Sequence, residues 1–189
     1  FELQLIVTGA HLKKELGFTV QTIENDGFPI HAKIEILEAE DSPLGISRSM
    51  GRAMIGIAEA LDRLKPDILL LLGDRYEILA SAQAALIARI PIAHVHGGEL
   101  TEGAVDDSIR HAITKLANIH FVSAEPYRHR VIQLGEQPEY VFTVGATSLD
   151  HLQHLKLLER EELEKSLDFS LGKCCFLTTY HSATLSNQS

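Results

Sequence analysis

Residues 94–99 (HVHGGE) bring two histidines and a glutamate together at the end of an apolar run of the 189-residue chain. Two imidazoles that lie two positions apart in a strand face the same side, and the glycines allow Glu99 to fold back toward them. Imidazoles shuttle protons, orient phosphates or bind metals. His94 fits a buried core position better than His96 does, and no His or Cys at a familiar spacing supplies a third metal ligand. The segment predicts acid/base or phosphate chemistry, and a metal-dependent hydrolase using His94 and His96 is the alternative.

A carboxylate and a guanidinium are adjacent at Asp74 and Arg75. Asp74 could accept a proton, and Arg75 could grip phosphate oxygens in a fork. In the structural interpretation, Asp74 caps the next helix and Arg75 pairs with Glu77 or with solvent. The spacing alone favours the structural interpretation slightly.

Residues 106–111 (DDSIRH) begin a predicted helix. Acidic residues in a first turn suit the helix dipole, which explains the aspartate pair as capping. Residues four apart share a helix face, so Asp106 and Arg110 could instead present a carboxylate and a cation to one anionic ligand. Both interpretations stay open at this point.

The elements that must position these residues follow an alternating pattern. Short, continuous apolar runs predict buried parallel strands at residues 3–7, 34–37, 68–72, 90–95, 119–122 and 140–144. Helical spacing of apolar residues predicts helices at residues 46–64, 77–88, 106–116, 125–134 and 148–158. The alternation predicts an α/β fold with a doubly wound, Rossmann-like parallel sheet. Ligands bind beyond the carboxyl ends of such strands, where Asp74 and His96 stand.

Composition restricts the partners and the compartment. A net charge of -9 argues against nucleic acid. The only cysteines, Cys174 and Cys175, lie in an apolar run that predicts a buried strand in a reducing compartment. No apolar stretch approaches the roughly 20 residues of a membrane span, so we expect a cytoplasmic protein without a membrane partner. Residues 160–168 are either an interdomain connection or a surface helix.

Five blocks, taken in order, resemble the hydrolysing UDP-N-acetylglucosamine 2-epimerases of sialic and legionaminic acid biosynthesis. They are residues 72–77 (LGDRYE), 94–99 (HVHGGE), 106–117 (DDSIRHAITKLA), 130–136 (RVIQLGE) and 180–185 (YHSATL). The resemblance implies the N-terminal half of a GT-B-like, two-domain enzyme that forms homo-oligomers. Residues 1–158 would form most of the first domain without its first strand, and residues 159–189 the connection and the start of a nucleotide-binding domain. Such a piece alone is expected to be inactive.

The resemblance also implies the reaction. A C2 proton is removed while UDP leaves C1, and water then adds to the 2-acetamidoglucal to give N-acetylmannosamine, with no cofactor and no metal. Asp74 and Asp106 match two family carboxylates at the sugar. Many relatives have Glu where this chain has His96, which leaves His96 or Glu99 for the third acid/base role.

Four further residues are expected to bind the substrate. Arg75 and Arg110 match family positions near the substrate, and His181 matches a histidine that approaches the diphosphate. His94 completes this predicted set, on account of its place in the HVHGGE segment.

Two further functions are compatible with these residues, and a third is disfavoured. The same reaction could act on a UDP-2,4-diacetamido-2,4,6-trideoxyhexose, because the residues that read C4 and C6 of the sugar are not identifiable. A non-hydrolysing epimerase is disfavoured by the segment 96–99. A non-catalytic nucleotide-binding module would bind UDP without turning over the sugar.

Overall fold

A computed structural model describes residues 1–40, 42–153 and 155–179. Its strands are β1 (Leu5–Thr8), β2 (Ile30–Ile34), β3 (Leu69–Leu72), β4 (Ile92–Val95), β5 (Ile119–Val122) and β6 (Val141–Thr143). Its α-helices are α1 (Val20–Asn25), α2 (Pro43–Leu64), α3 (Tyr76–Ala88), α4 (Val105–Leu116), α5 (Glu125–Gln133) and α6 (Arg160–Leu167). Short 3-10 helices lie at Gly9–Leu12, Lys14–Leu16, Pro138–Tyr140 and Thr147–Gln153.

The strands form two parallel sheets. Strands β1 and β2 pair with each other, and the second sheet has the order β3-β4-β5-β6. In the larger sheet the register aligns Leu71 with His94, His94 with His120, and His120 with Val141. All pairs are parallel, so the carboxyl ends of β3 to β6 meet at one edge. The α/β fold with a parallel, Rossmann-like sheet is confirmed.

The main core lies between the larger sheet and helices α2, α3 and α4. Its buried side chains include Leu61 of α2, Leu71 of β3, Ala85 of α3 and Ile113 of α4. Alanines along α3 let α2 approach closely, because small side chains keep neighbouring helix axes near each other. Helix α2 starts cleanly at Pro43, since the Ser42 hydroxyl accepts a hydrogen bond from the Gly45 backbone N–H.

Two predicted elements lie elsewhere or take another form. The strand predicted at 34–37 is found at Ile30–Ile34; Ile36 is buried against α2 and α3 but lies beyond the ladder with β1. The helix predicted at 148–158 is only the short 3-10 helix Thr147–Gln153. Leu152 and Leu155 are exposed, so this segment lacks the buried stripe that stabilises an amphipathic α-helix.

The expectation for the two cysteines is wrong. Cys174 and Cys175 are exposed, and no strand forms at residues 173–179. A buried strand needs ladder partners, and none of the described strands pairs with this run. Arg160–Leu167 forms helix α6, which has no buried residue. Across the described residues, no helix has the length and apolarity to cross a membrane.

Candidate functional site

Four consecutive strands deliver polar side chains to one edge of the larger sheet. Asp74 lies two residues after β3, His96 directly after β4, Ser123 directly after β5, and Thr147 four residues after β6. Direct contacts join these loops: His96 Nε2 lies 3.3 Å from Thr147 Oγ1. This is the edge at which parallel α/β sheets bind ligands.

The loop after β4 holds an imidazole and a carboxylate together. His96 Nδ1 lies 2.7 Å from Glu99 Oε1. His96 has φ +66°, a left-handed conformation that costs a residue with a Cβ about 1 to 2 kcal/mol. Strained backbone of this kind persists only where the surrounding structure enforces it, and it is concentrated at functional sites.

A glycine fixes where this loop lies on α5. Gly98 has φ +80°, and a Cβ built there would lie 2.5 Å from the Tyr127 carbonyl oxygen and 2.9 Å from Val131 Cγ2. A side chain at position 98 would therefore push the loop away from α5. The close approach therefore fixes the position of His96 and Glu99 relative to α5.

Arg110 links the loop after β3 to the loop after β4. It is 4% exposed, and its guanidinium donates to the Glu99 backbone oxygen at 2.8 Å, to Thr101 Oγ1 at 2.9 Å and to Asp107 Oδ1 at 3.2 Å. It also forms an ion pair with Asp74. Because all these partners belong to the protein, the guanidinium acts here as a clamp that orients Asp74, and a substrate could reach it only by displacing one of them.

The two aspartates at the start of α4 have different surroundings. Asp107 accepts from the Thr101 backbone N–H at 3.0 Å and from Arg110. Asp106 is half-buried and makes no hydrogen bond or ion pair with a residue that the structure describes. Of the two, Asp106 is the carboxylate that is available to a ligand, and it sits in the first turn of the helix, where the dipole favours an anion.

His94 lies beneath the site and is fully buried. Burial lowers its pKa to about 4, so the ring is neutral near pH 7. Its Nε2 lies 2.9 Å from the Gly73 carbonyl oxygen and its Nδ1 3.2 Å from Thr114 Oγ1. Since a carbonyl only accepts, the neutral ring carries its proton on Nε2. The Thr114 hydroxyl donates to the Arg110 carbonyl oxygen at 3.0 Å and also lies beside His94 Nδ1. Contact with a substrate would require these bonds to break.

Among the described residues, His94 and His96 share no hydrogen-bond partner. Strand β4 ends at Val95, so strand alternation does not carry through to His96. In the described part of the chain, no group of three or more His, Cys, Asp or Glu side chains is arranged to hold a metal ion.

Arg75 pairs with its neighbour Glu77, as in the structural interpretation. Its Nε lies 2.7 Å from Glu77 Oε1, and its own side chain is 61% exposed. The second carboxylate oxygen of Glu77 is buried and has no hydrogen-bond partner. A guanidinium this exposed can rotate toward a ligand at small cost, whereas Arg110 cannot.

Three site residues were not identified from the sequence: Ser123, Thr147 and Asp107. Ser123 could have been found, because it directly follows a predicted strand as Asp74 and His96 do. Thr147 lies too far beyond its strand for this rule. His181 lies outside the described residues.

The chain resembles known proteins over its whole length. The sequence profile of the family described as UDP-N-acetylglucosamine 2-epimerase matches residues 1–189. The chain is 45% identical over 183 residues to a GDP/UDP-N,N'-diacetylbacillosamine 2-epimerase (hydrolyzing) of Campylobacter jejuni, which covers 97% of this chain and 47% of the relative. It is 39% identical over 180 residues to a UDP-N,N'-diacetylbacillosamine 2-epimerase (hydrolyzing) of Legionella pneumophila, which covers 95% and 48%. The chain thus spans about half the length of these curated relatives.

A solved structure has the same fold. The UDP-GlcNAc 2-epimerase of Neisseria meningitidis, bound to UDP-GlcNAc, superposes with a TM-score of 0.69 at 20% identity, over 87% of this chain and 43% of that one. The likeness confirms the Rossmann-like fold of one half of a GT-B-like enzyme.

Proposed function

Because the chain belongs to the UDP-N-acetylglucosamine 2-epimerase family, we propose that the complete protein is a hydrolysing 2-epimerase. It takes a UDP-linked 2-acetamido sugar and water, and releases UDP and the free sugar with inverted C2. The observation that carries the proposal is that Arg110 and Glu99 join Asp74 and His96 at the carboxyl edge of one parallel sheet. Asp106 lies in the first turn of the helix that carries Arg110. Epimerisation by elimination and rehydration needs proton-transfer groups on both faces of the sugar ring.

The reaction divides into two balanced steps. In the first, a base takes the C2 proton, the C1–O bond to UDP breaks, and a C1–C2 double bond forms. In the second, water adds its oxygen to C1 and a proton returns to C2 from the opposite face. A carboxylate can remove so weakly acidic a proton only as the departing diphosphate makes C1 cationic, so the two events are coupled.

We assign a role to each of three groups. Asp74, held in a fixed orientation by the buried Arg110, acts at one face of the sugar. Asp106, which no described residue engages, acts as a second carboxylate at the first turn of α4. His96 is the third proton-transfer group, and Glu99 orients it through the Nδ1 contact.

The substrate that the relatives favour is the diacetamido sugar. Both relatives described above are named for N,N'-diacetylbacillosamine, at 45% and 39% identity. This sugar is the 2,4-diacetamido-2,4,6-trideoxyhexose that the sequence left as the alternative. We therefore rank UDP-N,N'-diacetylbacillosamine first and UDP-N-acetylglucosamine second, which reverses the order expected from the sequence.

A competition assay with the complete protein tests the proposal. Both UDP-sugars are supplied together, and release of UDP and free sugar is followed by chromatography. We expect free 2,4-diacetamido sugar in excess over free N-acetylmannosamine, with one UDP per free sugar. An epimerised sugar that keeps its UDP would refute hydrolysis, and a faster reaction of UDP-N-acetylglucosamine would restore the original order.

A further inference from the structure

Glu99 receives two hydrogen bonds on one carboxylate oxygen. Its Oε1 accepts from Ser123 Oγ at 2.6 Å and pairs with His96 Nδ1 at 2.7 Å. Ser123 lies at the end of β5, on a different strand from the loop that carries the other two residues. The hydroxyl thus ties the Glu99 side chain to the rigid sheet.

Glu99 is ionised in this arrangement. Partial burial alone would raise its pKa, but the hydrogen bonds from Ser123 and His96 outweigh that effect, and its pKa lies below the ordinary value. An ionised carboxylate can only accept, so the neutral form of the His96 ring carries its proton on Nδ1. The basic nitrogen is then Nε2, whose one hydrogen-bond partner among the described residues is the Thr147 hydroxyl, at 3.3 Å. So long a contact is readily exchanged for one with a substrate.

We infer that Ser123 is a positioning residue for the reaction: its hydroxyl fixes the Glu99 carboxylate, which holds His96 as the Nδ1–H tautomer with Nε2 turned toward the substrate. The inference rests on the proposed function, since it takes His96 as a proton-transfer group. Ser123 acts through Glu99 and does not itself touch the reacting atoms. The strained backbone of His96 makes such an anchor necessary, because the loop alone does not favour this geometry.

The kinetic test compares three variants of the complete protein. Ser123→Ala is expected to lower kcat about tenfold to a hundredfold with KM within about twofold, less than the 10²–10⁴ expected for losing an acid/base group itself. Ser123→Thr keeps the hydroxyl and should recover most of kcat. Ser49→Ala is the control, since this buried hydroxyl accepts a hydrogen bond from the Glu38 backbone N–H and not from a residue of the site; its kcat should match the wild type.

A spectroscopic test does not depend on turnover. In protein with ¹⁵N-labelled histidine, the ring nitrogens of His96 should report the Nδ1–H tautomer in the wild type and a mixture of tautomers in Ser123→Ala. Unchanged kcat or an unchanged tautomer in that variant would overturn the inference. If the wild type turns over neither UDP-sugar, the proposed function fails, while the tautomer still decides whether Ser123 fixes the ring.

Discussion

Two neighbouring aspartates at the start of α4 differ in what they bind, and we propose that this difference separates catalysis from stability. Asp107 accepts from Arg110 and from the Thr101 backbone N–H, whereas the Asp106 carboxylate has no hydrogen bond or ion pair with a described residue. The ordered contacts of Asp107 hold the buried guanidinium in place. The Asp106 carboxylate is the one that we propose acts on the substrate.

Asparagine at each position tests this assignment. Asp106→Asn should lower kcat at least a hundredfold and leave the free energy of unfolding unchanged within about 0.5 kcal/mol. Asp107→Asn should lower the free energy of unfolding by about 1 to 3 kcal/mol, because the nearly buried Arg110 loses a charged acceptor. Urea unfolding and steady-state kinetics measure both effects. The reverse pattern would exchange the two roles.

The buried His94 predicts how stability depends on pH. Burial lowers the pKa of His94 in the folded protein to about 4, below the ordinary histidine value of 6.5. Above pH 6.5 both states are neutral; as the pH falls from 6.5 toward 4, the unfolded chain binds a proton that the folded protein excludes, and stability is lost. At pH 5 the loss from this group should be about 2 kcal/mol.

The matched variant is His94→Gln, whose amide can still donate to the Gly73 carbonyl. Urea unfolding at pH 7.5 and pH 5 should show a pH-dependent loss of stability that is about 2 kcal/mol smaller in the variant than in the wild type. An equal loss in both proteins would show that burial does not lower the pKa of His94.

At the level of elements, the pattern of apolar residues predicted five of the six strands close to their observed places, because buried parallel strands need continuous apolar runs. It missed the position of β2, where Ile36 looks like a strand residue but packs beyond the ladder. It also failed at Cys174, where an apolar run has no described partner strand. Pairing is a property of the assembled sheet, and local patterns do not contain it.

The site residues also divide into those that local sequence patterns predict and those that depend on contacts distant in sequence. Rules for strand ends found Asp74 and His96, since sheet geometry alone puts them on one edge. They did not foresee that Arg110 would be buried, because its ion pair spans 36 residues of sequence. The hydrogen bond between Ser123 and Glu99 spans 24 residues of sequence, and local patterns could not predict it either.

The close packing of the loop after β4 on α5 makes a prediction about Gly98. Gly98→Ala should lower the free energy of unfolding by more than about 2 kcal/mol, since the new methyl group meets Tyr127 and Val131 in addition to the backbone penalty. It should also lower kcat, because His96 and Glu99 move with the loop.

Gly27→Ala is the control for the backbone penalty alone. Gly27 has φ +82° with nothing within 4 Å of an added Cβ, so the cost should be about 1 kcal/mol with normal kcat. If urea unfolding gives equal losses of stability for Gly98→Ala and Gly27→Ala, the loop after β4 accommodates the added methyl group without strain.

At the level of the whole molecule, charge limits what the described site can do by itself. Asp74, Glu99 and Asp106 bring three carboxylates to the site. Arg110 is committed to protein partners, so of the two arginines described at the site only Arg75 can turn toward a ligand. A diphosphate needs cations around it. The chain spans about half the length of its curated relatives, and we expect the remaining cations to come from the rest of the complete protein.

Residues 1–189 produced alone should therefore bind UDP at least about tenfold more weakly than the complete protein, a difference of about 1.4 kcal/mol. They should also release no free sugar. Isothermal titration calorimetry of both proteins with UDP measures the difference. Equal affinities would place the diphosphate site within this chain and contradict the charge argument.

Deuterium incorporation tests the central claim most directly. The complete protein is incubated with UDP-N,N'-diacetylbacillosamine in deuterated water, beside an Asp74→Asn variant, and the products are followed by proton NMR. We predict a free sugar with deuterium at C2, together with UDP, and the loss of both products in the variant. A free sugar that keeps its original C2 proton, or a product that keeps UDP, would contradict elimination and rehydration at this site.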